Sequence, residues 1–172
     1  MPAPAPRLEP EDTLFMPNIP GLRSPYDKVG RLVYLGRMLD KIRLHAEGKL
    51  PPEYVENMGD ASIGVFDTRC CRFLGVSHAD IKAKVLSGAS DEEVLAFIET
   101  KAPRRSDDDC YVWNCFIMKR GWHDPAGNVQ RLKERIKESS LEGKGIETFF
   151  DYIDMDEGRD PVSVKRWETA AG

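Results

Sequence analysis

Apolar residues recur at helical spacing after Ser24, which is followed by Pro25 and Asp27. Serine is a good N-cap, and proline fits the first position of a helix. The apolar residues behind this start form one stripe at near-heptad spacing: Val29, Leu32, Leu35, Leu39 and Ile42. The pattern predicts a first helix that opens at Ser24 and ends before Gly48 and the Pro51-Pro52 pair.

Three further helices are predicted from one recurring start signal, a serine followed three residues later by an acidic residue. The pairs are Ser77 with Asp80, Ser90 with Glu93, and Ser106 with Asp109. In such a capping box each side chain satisfies a free backbone N–H of the helix start. With two more helices near residues 128–139 and 146–159, the predicted class is all-α or nearly so, a compact domain of about five to six helices.

Prolines divide the chain into regions, because seven of the 12 lie within the first 25 residues. Proline lacks a backbone donor and restricts the preceding residue, which favours extended structure. We therefore predict an extended proline-rich arm over residues 1–22, a single helical domain over residues 23–159 and a C-terminal tail over residues 160–172.

Composition narrows the class of protein. The net charge of -4 gives no electrostatic case for nonspecific nucleic-acid binding. No apolar run approaches the about 20 residues that span a bilayer, and the N-terminus lacks a basic start followed by an apolar stretch. Four cysteines without an export signal predict a cytoplasmic protein with reduced thiols and no membrane partner.

Two adjacent cysteines stand in the segment "VFDTRCCRFLGV" at residues 65–76. Asp67 is predicted to cap a short helix there that ends at Gly75. Cys70 would lie in its first turn beside two arginines, which favours a nucleophilic thiolate. Cys70 also shares a face with Phe66 and Leu74, and free cysteine packs as a small hydrophobe. We favour packing and keep Cys70 as a weak catalytic candidate. No metal site is predicted, because the cysteine spacing does not suit one.

Cationic and aromatic residues supply the candidate ligand site. Arginine orients anions through its planar fork of donors, and aromatic neighbours favour such a site. Asn114 lies within an apolar helix, so its amide must either satisfy nearby backbone or face a ligand. The predicted anion-accepting pocket comprises six residues: Arg69, Arg72, Asn114, Lys119, Arg120 and Trp122. The favoured function is therefore a binding protein or enzyme for a small anionic ligand. Whether it is an enzyme stays open, and the cofactors are unknown.

Two other function classes stay open. Residues 68–86 have the layout of a helix-turn-helix DNA-binding regulator, with Lys82 and Lys84 on the second helix but also Asp80, which repels phosphate. Alternatively, the arm and the acidic segment over residues 151–160 would contact a protein partner. That segment lacks the glycine of a calcium loop, so a helix end or salt bridges to arginines explain it better. A homodimer would form through the arm or the first helix.

Several segments together resemble a known family. They are "IPGLRSPYDKVGRLVYLGRMLDKIRLHAEGKLP", "FDTRCCRFLGVS", "SDEEVLAFI", "VWNCFIMKRGW" and "FFDYIDMDEGR", spread over roughly residues 17 to 160. The chain resembles an uncharacterised bacterial family, domain-of-unknown-function family 5069. The resemblance implies a small, soluble, bacterial single-domain protein, and it carries no activity, cofactor or catalytic residue to transfer.

Overall fold

The computed structural model describes residues 18–170. Within them the chain is mostly helical, which confirms the predicted class, but the ten helices exceed the predicted five to six. In chain order the elements are β1 (Lys28–Val29), β2 (Leu32–Val33), α1 (Leu35–Ala46), α2 (Pro52–Val55), α3 (Phe66–Leu74), α4 (His78–Leu86), α5 (Asp91–Lys101), α6 (Asp107–Met118), α7 (Ala126–Glu138), α8 (Phe149–Asp156), α9 (Pro161–Val164) and α10 (Arg166–Ala170).

The predicted start of the first helix is wrong. Strands β1 and β2 pair antiparallel, and α1 begins only at Leu35. Gly30 occupies the hairpin turn with a φ of 57°, a left-handed conformation that glycine adopts without strain. A Cβ at Gly30 would come within 2.7 Å of the Leu95 side chain. The Ser24 hydroxyl donates to Asp154 instead of capping a helix.

Three predicted serine caps are confirmed, because local chemistry decides them. The side chains of Ser77, Ser90 and Ser106 accept the backbone N–H three residues ahead, and the last two complete capping boxes. Helix α3 ends at Gly75 with a φ of 74°, as predicted. Its N-cap is Val65 rather than Asp67, whose carboxylate is fully buried in an ion pair.

Helix α1 lies in the centre of the core. It packs mainly against α4, while β2 packs against α6. Leu35, Met38, Leu39 and Ile42 on α1 are fully buried, as is Phe150 on α8. The helices that carry Asn114 and Cys70 therefore pack against this shared core.

The two ends of the described chain also pack. Residues 1–17 of the predicted arm lie outside the described residues, but Ile19 and Leu22 pack against Leu44 and Leu50. In the predicted tail, α9 and α10 form, and Trp167 packs against the core. Within residues 18–170, no helix is both long and apolar enough to cross a membrane.

Candidate functional site

Three of the six predicted ligand-binding residues lie close together. The guanidinium carbon of Arg69 on α3 is 5.8 Å from the centre of the Phe116 ring, and that of Arg120, just after α6, is 5.4 Å from it. Arg72 lies near enough to Arg69 to interact with it electrostatically. We call Arg69, Arg72, Phe116 and Arg120 the arginine–phenylalanine patch.

The patch carries uncompensated positive charge. Partial burial lowers the pKa of Arg69 from its ordinary value, and the charges of Arg120 and Arg72 lower it further, against the opposing effect of Asp124. Asp124 pairs with Arg120 at 3.0 Å. Neither Arg69 nor Arg72 forms a salt bridge within residues 18–170. An anion would relieve this repulsion, so the patch can attract one.

The other predicted residues are placed differently. The side-chain oxygen of Asn114 accepts the backbone N–H of Val33 at 3.1 Å, and its amide donates to the backbone oxygen of Arg31 at 2.9 Å. Asn114 thus satisfies the hairpin backbone, one of the two roles expected from the sequence. The indole of Trp122 is half-exposed and lies edge-on to His123, and Lys119 is exposed at the end of α6.

Cys70 is fully buried, and burial raises the pKa of its thiol well above the ordinary value. The neighbouring charges of Asp67 and the Cys71 thiol act in the same direction, and only Lys41 opposes them. A nucleophile must be accessible and deprotonated, and both properties of Cys70 work against this. Packing accounts for its position, and its catalytic role stays a prediction.

A buried ionic network lies beside Cys70. The Lys41 ammonium is 2.6 Å from Asp67, and it donates to the Tyr34 hydroxyl at 3.1 Å and to the backbone oxygen of Asn57 at 2.7 Å. Tyr34 donates to the same carboxylate at 2.8 Å. All three ammonium donors of Lys41 therefore have acceptors, which suits a role in holding the loop after α2 against α1 and α3.

Helices α3 and α4 follow each other across a short turn, within the residues predicted to form a helix-turn-helix. Its second helix, however, buries His78, whose Nε2 is 3.8 Å from Asp67 and has no hydrogen-bond partner. Burial lowers the pKa of His78, so the ring is neutral near pH 7. The Ser77 hydroxyl donates to the Asp80 carboxylate at 2.9 Å, so an anion stands at the N-terminus of α4, where it repels a phosphate.

A small cavity of about 190 Å³ lies between the hairpin, α5 and the start of α6. Its wall is mostly apolar, and arginines stand among its lining residues. The lining comprises Gly30, Arg31, Leu32, Leu74, Leu95, Ile98, Glu99, Ala102, Pro103, Arg104, Arg105 and Cys110. Apolar walls with few convergent polar groups are typical of small-molecule sites.

Charge in the cavity wall is unequally compensated. Arg31 pairs with Asp107, and Arg104 pairs with Glu99 at 3.2 Å. Arg105 forms no salt bridge within residues 18–170, and its buried Nε lacks a hydrogen-bond partner. The Arg105 guanidinium carbon lies 5.5 Å from the centre of the Phe73 ring, which holds the side chain in place. Three arginines thus stand against two carboxylates.

Sequence reasoning missed these three arginines. Arg31 and the Arg104-Arg105 pair are more than 70 positions apart, and only folding of the hairpin onto the loop after α5 brings them together: Arg31 donates to the backbone oxygen of Arg105 at 2.7 Å. The available signal was a dibasic pair directly after Pro103 and before the capped start of α6.

Comparison with known proteins assigns the chain to a family. The model of the family described as Domain of unknown function (DUF5069) matches residues 19–159, most of the chain. The chain belongs to the DUF5069 family. A search of the curated proteins finds no match. The description of the DUF5069 family states no activity, so a function must be argued from geometry. Within residues 18–170, no group of three or more His, Cys, Asp or Glu side chains is arranged to hold a metal ion.

Proposed function

We propose that the protein binds a small anionic molecule, a carboxylate with a compact apolar group, in the cavity beside Arg105. One observation carries the proposal: Arg105 lines a largely apolar cavity and forms no salt bridge within residues 18–170. A ligand carboxylate in the cavity would pair with this guanidinium in a charge-assisted hydrogen bond.

The size of the cavity limits the ligand. Pockets for drug-sized ligands usually measure roughly 300–1,000 Å³, whereas this one measures about 190 Å³. A nucleotide is therefore too large. A branched aliphatic or single-ring carboxylate fits, with its apolar part against Leu95 and Ile98 and its carboxylate towards Arg105.

Ligand-observed NMR with benzoate, and benzyl alcohol as the uncharged counterpart, tests the proposal. We expect benzoate to bind in the micromolar to millimolar range that roughly ten heavy atoms support, and benzyl alcohol to bind more weakly. Arg105→Gln removes the unpaired cation, and a lost charged hydrogen bond weakens binding by about tenfold or more. Leu95→Trp fills the cavity and should also abolish binding.

Arg135→Gln is the matched control, because Arg135 lies on α7 and does not line the cavity. Equal binding of benzoate and benzyl alcohol, or unchanged benzoate binding in both cavity variants, contradicts the proposal. Circular dichroism of each variant separates lost binding from lost folding.

The arginine–phenylalanine patch is a second candidate for anion binding, favoured by the lack of salt bridges at Arg69 and Arg72. This surface is open, so it suits a phosphate-bearing molecule better than a small apolar carboxylate. Titration with pyrophosphate tests it. Arg69→Gln should weaken pyrophosphate binding while benzoate binding is retained. Arg105→Gln should weaken benzoate binding while pyrophosphate binding is retained. Pyrophosphate binding that Arg69→Gln leaves unchanged removes the patch as a candidate.

A further inference from the structure

Helix α6 exposes an apolar face. Tyr111, Val112 and Phe116 are 58%, 64% and 42% exposed, and Cys115 between them is partly exposed. The other large apolar side chains that are exposed within residues 18–170 stand singly, on separate segments. Scattered exposed apolar residues are ordinary, but a cluster on one helix face marks a contact surface.

Unpaired charges stand at the two ends of this face. At 100° per residue, Asp108, Val112, Cys115 and Lys119 follow one line along α6, and Tyr111 and Phe116 flank it. Asp107 pairs with Arg31, and Asp109 belongs to the capping box. By contrast, neither Asp108 nor Lys119 forms a salt bridge within residues 18–170.

We propose that this face binds a second copy of the chain, with the two α6 helices antiparallel about a twofold axis. An axis that crosses the helices midway between residues 113 and 114 places Asp108 opposite Lys119 of the second copy. The same axis places Val112 opposite Cys115 of the second copy. Tyr111 and Phe116 lie on opposite flanks of the line, so each lies on the same side of the interface as its own counterpart, aromatic against aromatic. The face is therefore self-complementary, as a twofold interface between identical surfaces requires.

Charge complementarity distinguishes a second copy from an unrelated partner. The acidic end and the basic end of one helix are matched by the opposite ends of the same helix in the second copy, without any further sequence. The helix is about 18 Å long at 1.5 Å per residue, so the contact is at the small end of stable interfaces. A weak dimer, with a dissociation constant roughly in the micromolar range, is therefore expected.

The dimer does not depend on the proposed ligand. Cys110, which lines the cavity, lies on the opposite side of α6 from Val112 and is buried. The cavity therefore stays open in the dimer. The arginine–phenylalanine patch, in contrast, would lie at the edge of the interface, because Phe116 belongs to both.

Sedimentation analysis over a range of protein concentrations tests the proposal. The unmodified chain should pass from monomer to dimer as the concentration rises through the micromolar range. Val112→Asp should remain monomeric at every concentration. Its circular dichroism and thermal midpoint should match the unmodified monomer, because the Val112 side chain is 64% exposed. The matched control Val164→Asp changes an exposed valine on α9 and should dimerise normally.

A charge swap tests the antiparallel arrangement. Asp108→Lys and Lys119→Glu should each weaken self-association about tenfold or more, because each places like charges together twice in the dimer. An equimolar mixture of these two variants should form a heterodimer, and the variant that carries both changes should form a homodimer again. The homodimer of the double variant is the deciding result, because a parallel arrangement would place residue 108 opposite residue 108 and residue 119 opposite residue 119, and the double variant would then keep like charges together.

Disulfide formation gives an independent geometric measurement. Val112→Cys places a thiol opposite the native Cys115 of the second copy, and mild oxidation should yield a covalent dimer. Adding Cys115→Ser should reduce the yield. A chain that stays monomeric at all concentrations, or single charge variants that associate like the unmodified chain, would overturn the proposal.

Discussion

Helices α1 and α6 both have twelve residues, but they place charge and apolar surface in opposite ways. In α1, Arg37, Asp40 and Lys41 are buried, and each has an ion-pair partner within the described residues. In α6, the middle of the outward face is apolar and exposed, and charges stand at its ends.

The difference separates interactions that hold the fold from surfaces that bind. Buried charges cost desolvation energy and persist only where their partners are built in, as Glu157 is for Arg37 and Asp67 is for Lys41. An apolar side chain that stays exposed contributes no hydrophobic free energy to folding. It contributes that free energy only when another molecule covers it. The buried charges of α1 therefore indicate contacts that stabilise the fold, whereas the exposed apolar residues of α6 indicate a binding surface.

The largest expected effect is at the buried ionic network of α1. Asp67→Asn removes the counterion of Lys41, and an uncompensated buried charge costs about 3–5 kcal/mol of unfolding free energy. Urea denaturation measures this. Glu138→Gln breaks an exposed pair with Arg135 and should cost less than about 1 kcal/mol. Equal costs for the two variants would contradict a structural role for the network.

The second prediction concerns how the stability contributed by Glu157 depends on pH. Burial alone would raise the pKa of Glu157, but hydrogen bonds and charge from Arg37 and Arg159 hold it below its ordinary value. A carboxylate with a lowered folded-state pKa adds stability above its unfolded pKa of about 4.3 and loses it as the pH falls through the folded value. Glu157→Gln should thus be less stable by about 3 kcal/mol at pH 7.

That stability difference should shrink steadily below about pH 4.3. Denaturation of both proteins between neutral pH and acid measures it. Burial raises the pKa of Asp154, which shares Arg159 with Glu157, so the difference reports on the ion-pair network that these two carboxylates form. A difference that stays constant across the acid range would show that the ionised carboxylate contributes nothing.

The smallest effect is on reactivity rather than stability. At protein concentrations that favour the monomer, iodoacetamide should label Cys115 on the outward face of α6 first, as followed by mass spectrometry. Burial raises the pKa of Cys110 and of Cys70, and raises the pKa of Cys71 to about 12, so these three should react only on unfolding. Native-state labelling of Cys70 as fast as that of Cys115 would restore its candidacy as a nucleophile.

Sequence reasoning succeeded where the cause is local. The caps at Ser77, Ser90 and Ser106 depend on a side chain three residues away, so a short stretch contains the whole signal. For the acidic segment over residues 151–160, the sequence predicted a helix end or salt bridges to arginines. Asp154 and Glu157 do pair with arginines.

Sequence reasoning failed where contacts between distant parts of the chain determine the local structure. The stripe from Val29 to Ile42 fits a single helix equally well, and only the turn at Gly30 and the contact with Leu95 separate the hairpin from α1. The spacing of Asp40 and Arg43 is typical of a surface pair within one helix. The two do pair, at 3.4 Å, but Asp40 is buried and its shortest ion pair is with the distant Arg23 at 2.7 Å. The cavity was missed for the same reason, because Arg31 and Arg105 meet only in three dimensions.

Two arginines in the last part of the described chain bind residues near its beginning. Arg159 donates to the backbone oxygen of Leu22 at 2.5 Å, and Arg166 pairs with Asp27. The two ends therefore belong to one cooperative unit, and trimming the last helices would release the segment that leads into the hairpin. A circularly permuted chain, joined across these ends and opened in a surface loop elsewhere, would keep the contacts of Arg159 and Arg166.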